Sequence, residues 1–370
     1  MRSRVDPHRV PGWLSLPLLP LSWLYGLGAS LRGRRQAREP RRLHHPVLSV
    51  GNLTVGGTGK TPVTAFLAAA LRDAGLRPAI LTRGYGGKKA GTDTGTLLVS
   101  DGRQVFPGAA EAGDEPYLLA RRLPGVAVVR GADRYAAGLW YDKRYDVDVF
   151  LLDDGFQHRR LHRDFDLLLV DGRRGVGNGR VLPAGPLREP LSAAARADAV
   201  LVTRHGEGDP VEALPRRLRR RLGGKPVWAA DLVSDGLRDA EGLPMNPPLS
   251  LRGLPAVAVA GLADPGQFFR MLAREGACLG EELSFPDHCP YGRAETDRIR
   301  AAVRRTGAPC VLATAKDAVK LEGLDLGAPL RVVELRLDPA PVELLDTLSA
   351  HPAFRALFGR NQPRGPRFGD

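Results

Sequence analysis

Short runs that are apolar at nearly every position recur along the chain. PVLSV (46–50), PAILT (78–82), VAVVR (126–130), DVFLL (148–152), DLLLV (166–170) and AVLVT (199–203) are rich in Val, Leu and Ile. They lack the alternation of a one-faced sheet, as strands buried on both faces of a parallel sheet do. Helical stretches separate them, beginning with TPVTAFLAAALRDAG after a Gly-rich turn. Strand-helix-strand order predicts a doubly wound α/β domain. From Gly206 to about Leu251 the chain is charge-rich and then Pro-rich, which reads as a helix and a connector. A second α/β pattern follows in AVAVAGL (256–262), a helix near DPGQFFRMLAREG, CVLATA (310–315) and LRVVELRL (330–337). The expected divisions are an N-terminal segment at 1–42, a core at 43–225, a connector at 226–255, a smaller C-terminal α/β domain at 256–346 and a tail at 347–370. The tail is expected to fray from His351.

The stretch from Val10 to Leu31 contains no charged residue. Its length could just span a bilayer. However, Pro11, Pro17 and Pro20 disrupt it and Ser15, Ser22 and Ser30 dilute it, and no signal-peptide cleavage site is evident. Trp13, Trp23 and Tyr25 favour the headgroup layer, so the segment reads as interfacial, with arginines on anionic headgroups. A buried hairpin over the core and a single span are the alternatives.

Composition sharpens this picture. The chain has 54 Lys+Arg against 41 Asp+Glu, a formal +13. Residues 1–42 hold nine arginines against Asp6 and Glu39, a net +7, so over half the excess brackets the uncharged stretch. Such a surface attracts anionic lipid, nucleic acid or phosphorylated molecules. Cys278, Cys289 and Cys310 form no CxxC pair, which argues against a disulfide framework or structural zinc and for a reducing compartment.

The main chemical signal is Thr54-Val55-Gly56-Gly57-Thr58-Gly59-Lys60-Thr61, between a strand and a helix. Such a loop turns backbone N–H groups onto phosphate oxygens. Lys60 would neutralise β/γ charge, Thr61 could ligate Mg²⁺, and the helix N-terminus adds its dipole. The strict pattern wants Gly where Thr54 stands. A second signal is DVFLLDDGFQHRRLHRDFD, where an apolar strand ends in Asp153-Asp154. Carboxylates there could hold Mg²⁺ opposite Thr61. Asp114 also reads as an N-cap before EPYLLARRL.

SVGNLTVGGTGKTP, TRGYGG, AGDEP, RGADRYAAG, LLDDGFQHRRLHRD, LPAGPLREP, FPDHCPYG and TAKDAVKL together resemble the tetraacyldisaccharide 4'-kinase family of lipid A biosynthesis, over roughly residues 10–322. The resemblance implies a P-loop NTPase-like α/β fold with a smaller second α/β domain and an N-terminal membrane-associated helical segment. It implies transfer of the ATP γ-phosphate to the 4'-hydroxyl of a tetraacyl disaccharide 1-phosphate, with Mg²⁺. The family's Asp–His dyad falls on Asp114 and His288, the base and its orienting carboxylate. Asp153, Asp154 and Glu189 fall in the metal shell and Arg188 on phosphate. Gln157, His158 and Asp287 complete the site. Where many relatives read DHH, this chain has Asp287-His288-Cys289, which removes the second His. The resemblance further implies a monomer at the inner membrane of a Gram-negative-type cell, acting on its cytoplasmic face and contacting anionic lipid through residues 1–42.

Three rival readings remain. A nucleic-acid-binding NTPase would suit the sequence pI of about 10.2, but no nucleic-acid module is recognisable and no nucleic-acid partner is expected. A regulatory GTPase needs an [NT]KxD element, and Thr314-Ala315-Lys316-Asp317 has one residue too many between Thr and Lys. A ligase acting on a small acid would not need the lipid-facing segment.

Overall fold

The computed structural model describes residues 16–84, 95–106, 108–204 and 209–360. Arg2, Arg4, Arg9, Trp13, the YGG of TRGYGG and the last ten residues lie outside the described residues. The chain forms two compact units, one comprising Met1–Asp231 and Pro339–Asp370, the other Leu232–Asp338.

The first unit begins with α1 (Leu19–Ala37), which docks through small residues. Ser22 Oγ donates to the Val181 carbonyl at 2.6 Å. A Cβ on Gly26 would lie 3.1 Å from Val181, and one on Gly33 would lie 2.9 Å from Arg159. The large side chains therefore point outward, with Trp23 71% and Leu24 59% exposed. No helix among the described residues is long and apolar enough to cross a membrane.

The chain continues through β1 (Val47–Asn52), α2 (Lys60–Asp73), β2 (Pro78–Thr82), β3 (Leu97–Asp101), α3 (Asp114–Arg122), β4 (Ala127–Arg130), α4 (Arg134–Asp142), β5 (Val149–Asp153), β6 (Phe165–Asp171), β7 (Ala199–Thr203), α5 (Arg216–Leu222) and β8 (Val227–Arg238). The sheet order is β8-β7-β6-β1-β5-β2-β4-β3. All pairings are parallel except β3 with β4. Strands β1, β2, β5, β6 and β7 are buried at every position, which is why their sequences do not alternate. The chain leaves β1, crosses over α2 and returns at β2, with β5 lying between the two strands. The C-terminal edge of β1 is thus a switch point, where doubly wound sheets open a crevice.

Two differences from the sequence reading appear here. The expected connector at 226–255 holds the twelve-residue strand β8. As far as Arg360, the last described residue, the expected tail is helical. Helices Val342–Ala350 and Pro352–Arg360 belong to the first unit, Phe354 is 1% exposed, and His351 meets the Phe165 ring edge-on at 5.7 Å.

The second unit contains β9 (Pro255–Ala260), α6 (Pro265–Arg274), β10 (Cys278–Ser284), α7 (Arg293–Thr306), β11 (Val311–Thr314), α8 (Ala315–Leu321) and β12 (Leu330–Asp338). The strands run β10-β9-β11-β12, in parallel. Val257, Val259, Val311 and Ala313 face a core completed by Ile299 and Val303 of α7. Ala256, Ala258 and Leu312 face Phe268, Phe269 and Leu272 of α6. Alternate residues thus supply two separate cores, again with both sheet faces buried.

Candidate active site

The loop between β1 and α2 is held from beneath. Asn52 Nδ2 donates to Thr58 Oγ1 at 2.9 Å and lies 3.4 Å from Thr54 Oγ1. Thr203 Oγ1 donates to the Thr58 carbonyl at 3.1 Å. Val55 N–H donates to the Pro186 carbonyl at 2.8 Å, and Arg188 N–H to the Leu53 carbonyl at 2.7 Å. Gly59 caps α2 with φ 79, left-handed backbone that glycine adopts without strain. Thr58 and Thr54 are buried, whereas Gly57 is exposed beside the Arg204 guanidinium, 4.0 Å from where its Cβ would stand. Thr61 lies in the first turn of α2.

The acidic pair adjoins this loop because Val50 of β1 is in register with Asp153 of β5. Asp154 has φ 55 and swings out of the strand toward Lys60, whose Nζ stands 3.7 Å from its Oδ1. Arg188 Nη1 donates to both Asp154 oxygens at 3.0 and 2.9 Å and lies 3.4 Å from Gln157 Oε1. Gln157 Nε2 donates to the Asn52 carbonyl at 2.8 Å, closing the ring of contacts. Burial alone would raise the Asp154 carboxyl, but Lys60 and Arg188 hold it below the ordinary carboxylate range. Burial lowers Lys60, against the pull of Asp154.

Asp153 behaves differently. It is 3% exposed and accepts from Thr64 Oγ1 at 3.2 Å. Burial, then the nearby charges of Glu115 and Asp154, push its carboxyl up to about 7, against Lys60 and Thr64. His158 is pushed down to about 4, first by burial and then by Arg134. Its Nε2 is buried without a hydrogen bond among the described residues.

The family comparison bears directly on this site. Residues 14–351 match the family model LpxK, described as tetraacyldisaccharide-1-P 4'-kinase. The chain belongs to this family. The tetraacyldisaccharide 4'-kinase of Geobacter sulfurreducens is 47% identical over 327 residues, covering 86% of this chain and 89% of the relative. That of Geobacter metallireducens is 47% identical over 336 residues, covering 88% and 95%. The crystal structure of an "apo" form of LpxK from Aquifex aeolicus in complex with ATP is 34% identical, with a TM-score of 0.71, and the match covers 93% of this chain and 99% of that one.

Within the first unit of this LpxK-family chain, the fold brings together Thr54, Val55, Gly56, Gly57, Thr58, Gly59, Lys60, Thr61, Asp153, Asp154, Gln157 and Arg188. Glu189, expected in the metal shell, accepts from Arg196 with both oxygens, at 2.7 and 3.0 Å. The Arg196 guanidinium also lies 3.7 Å above the Phe156 ring. Asp114 is the first residue of α3, and Gly113 takes the cap position expected for it, with no side-chain cap. His288 lies in the second unit at φ 130, with Nε2 3.7 Å from Asp287 Oδ1 and 3.4 Å from Lys316 Nζ. Asn52, Thr64, Glu115 and Arg196 were missed by the sequence reading. Thr64 stands one turn after Lys60 on the same helix face, a spacing that could have singled it out.

Proposed function

We propose that this chain transfers the γ-phosphate of ATP to the 4'-hydroxyl of a tetraacyl disaccharide 1-phosphate in lipid A synthesis. The observation that carries this reading is the phosphate loop joined through Lys60 and Arg188 to the acidic pair, in a chain matched by the family over 338 consecutive residues, 14–351. Lys60 and Arg188, now engaged by Asp154, supply positive charge to the phosphates. The backbone N–H groups of Gly56 to Thr61 cradle them, and positioning with charge stabilisation does most of the work of phosphoryl transfer.

The residues at the strand end fit Mg²⁺. Burial, with the charges of Glu115 and Asp154 added to it, raises Asp153, and Thr61 adds a hydroxyl, so the donors are hard oxygens gathered at one strand end. Among the described residues no three His, Cys, Asp or Glu side chains enclose a metal by themselves, and Mg²⁺ beside nucleotide ordinarily takes only one or two carboxylates. When bound, the ion would neutralise phosphate charge. Asp153 and Asp154 would hold it, with Thr61. Glu189 would complete the metal shell, while its bonds to Arg196 steady the loop that carries Arg188.

His288 takes the proton of the sugar hydroxyl as general base, with Asp114 orienting its imidazole. Gln157 and His158 serve on the phosphate-loop side of the reaction, and Asp287 restrains Lys316 beside the base. The outward face of α1 rests in an anionic membrane surface. Leu21, Trp23, Leu24 and Leu31 of α1, and Leu16 just before it, are each more than half exposed. Their burial in lipid would be worth on the order of 5 kcal/mol in total. The protein works as a monomer at the cytoplasmic face of the inner membrane. The test is Lys60→Ala, which should abolish phosphate transfer with the fold intact; most of the activity surviving in a folded variant contradicts the assignment.

A further inference from the structure

The string Thr314-Ala315-Lys316-Asp317, which does not read as a guanine-recognition element, forms the junction of β11 and α8 in the second unit. Asp317 is 1% exposed. A carboxylate buried this deeply needs its lone pairs satisfied. Gly261 N–H donates to Oδ2 at 3.0 Å, Thr314 Oγ1 donates to Oδ2 at 2.6 Å, and Tyr291 Oη donates to Oδ1 at 2.8 Å. Position 261 has no room for a side chain. A Cβ there would stand 2.6 Å from Asp317 Oδ1, 2.8 Å from Tyr291 Oη and 3.3 Å from the Pro286 carbonyl.

What Asp317 holds is the loop that carries His288. Phe285 anchors one end, its N–H donating to the Ala260 carbonyl at 2.9 Å. Tyr291 anchors the other, buried against Phe285 with ring centroids 5.2 Å apart. Between them His288 has φ 130, and Tyr291 itself has φ 51. Non-glycine residues in this region persist only where their surroundings over-determine them. The Tyr291–Asp317 bond supplies that constraint from inside.

Lys316 grips the same loop from outside. Its Nζ donates to Asp287 Oδ1 at 3.0 Å and meets His288 Nε2 at 3.4 Å. An ammonium has only donors, so a hydrogen bond from Lys316 selects the neutral ring with Nε2 as acceptor and the proton on Nδ1. That is the tautomer a base needs. When the sugar hydroxyl takes the place of the ammonium at Nε2, that lone pair receives the hydroxyl proton while the oxygen bonds to the γ-phosphorus and the bond from phosphorus to ADP breaks.

We propose that Lys316 and Asp317 are positioning residues for His288. Asp317, through Tyr291, fixes the strained loop, and Lys316 presents the imidazole with Nε2 as its lone-pair nitrogen. This rests on the reading of His288 as the base.

The test uses the full-length protein with ATP and tetraacyl disaccharide 1-phosphate. Asp317→Asn risks misfolding, so the variants are Tyr291→Phe, which removes only a hydroxyl, and Lys316→Ala. Each should lower kcat about tenfold, a part of the roughly 10²–10⁴-fold a base contributes, with KM for ATP changed by less than about twofold. In a His288→Ala background each should cost less than a further twofold or so, because residues acting as one unit are not additive. Long-range ¹⁵N spectra of histidine-labelled protein should show the Nδ1–H tautomer of His288 in the wild type and its loss in Lys316→Ala. Wild-type kcat in both single variants, or losses that multiply fully with His288→Ala, overturns the clamp and leaves the base assignment standing. An unchanged kcat in His288→Ala overturns the base assignment and the positioning role with it.

Discussion

Replacing Asp153 with Asn should reverse part of the pH dependence of stability. The folded protein holds the Asp153 carboxyl at about 7, against 3.8 for the free side chain. The folded state therefore binds this proton more tightly than the unfolded state. Stability from this site is present in full below about pH 4 and is lost as pH rises through about 7. A difference of this size corresponds to about 4 kcal/mol in total, and to about 3 kcal/mol between pH 5 and pH 8. Asn is nearly isosteric and carries no titrating proton, so the variant lacks this loss. The assay is thermal denaturation of nucleotide-free protein in EDTA across that pH range. The difference between variant and wild type should move in favour of Asn by roughly 6–12 °C, at about 2–4 °C per kcal/mol for a unit of this size. Parallel pH profiles for the two proteins would refute the claim that buried negative charge accumulates at this strand end.

Gly51→Ala should destabilise the first unit by roughly 2–3 kcal/mol in urea, because its Cβ would stand 2.5 Å from Phe156 Cβ and 2.7 Å from Phe156 N. Glu189→Ala should cost roughly 3 kcal/mol by leaving the Arg196 guanidinium without its carboxylate, whereas a residue serving only the metal would leave stability unmoved. Trp23→Glu with Leu24→Glu should leave secondary structure and ATP binding unchanged but reduce co-sedimentation with anionic vesicles by tenfold or more, at about 2 kcal/mol of lost apolar burial. Undiminished co-sedimentation would place the membrane contact elsewhere.

Much of this architecture is legible in the sequence, for a physical reason. Strands such as Ala199–Thr203 are buried on both sides, so their Val and Leu runs stand out against any neighbourhood. Strand β8 does not stand out, because much of it is only partly covered and it carries Asp231, Ser234 and Asp235. Edge strand β3 is short and polar at its end, and β10 holds Glu281 and Glu282. The phosphate loop was visible because its chemistry is contiguous. Arg188 reaches Asp154 across 34 positions, and Glu189 meets Arg196 only because a 3-10 turn at Leu191–Arg196 brings the guanidinium back. Neither pairing follows from spacing alone. The same holds for the grip of Asp317 on Tyr291, 26 positions away.

The most direct measurement is transfer of label from γ-labelled ATP. Purified wild-type protein and Lys60→Ala would be incubated with Mg²⁺ and tetraacyl disaccharide 1-phosphate, and the label located by chromatography and mass spectrometry. The wild type should yield a lipid carrying a new phosphate at the 4'-position, and Lys60→Ala should yield none. Label released only as inorganic phosphate, or a phosphorylated lipid made equally well by Lys60→Ala, would contradict the account.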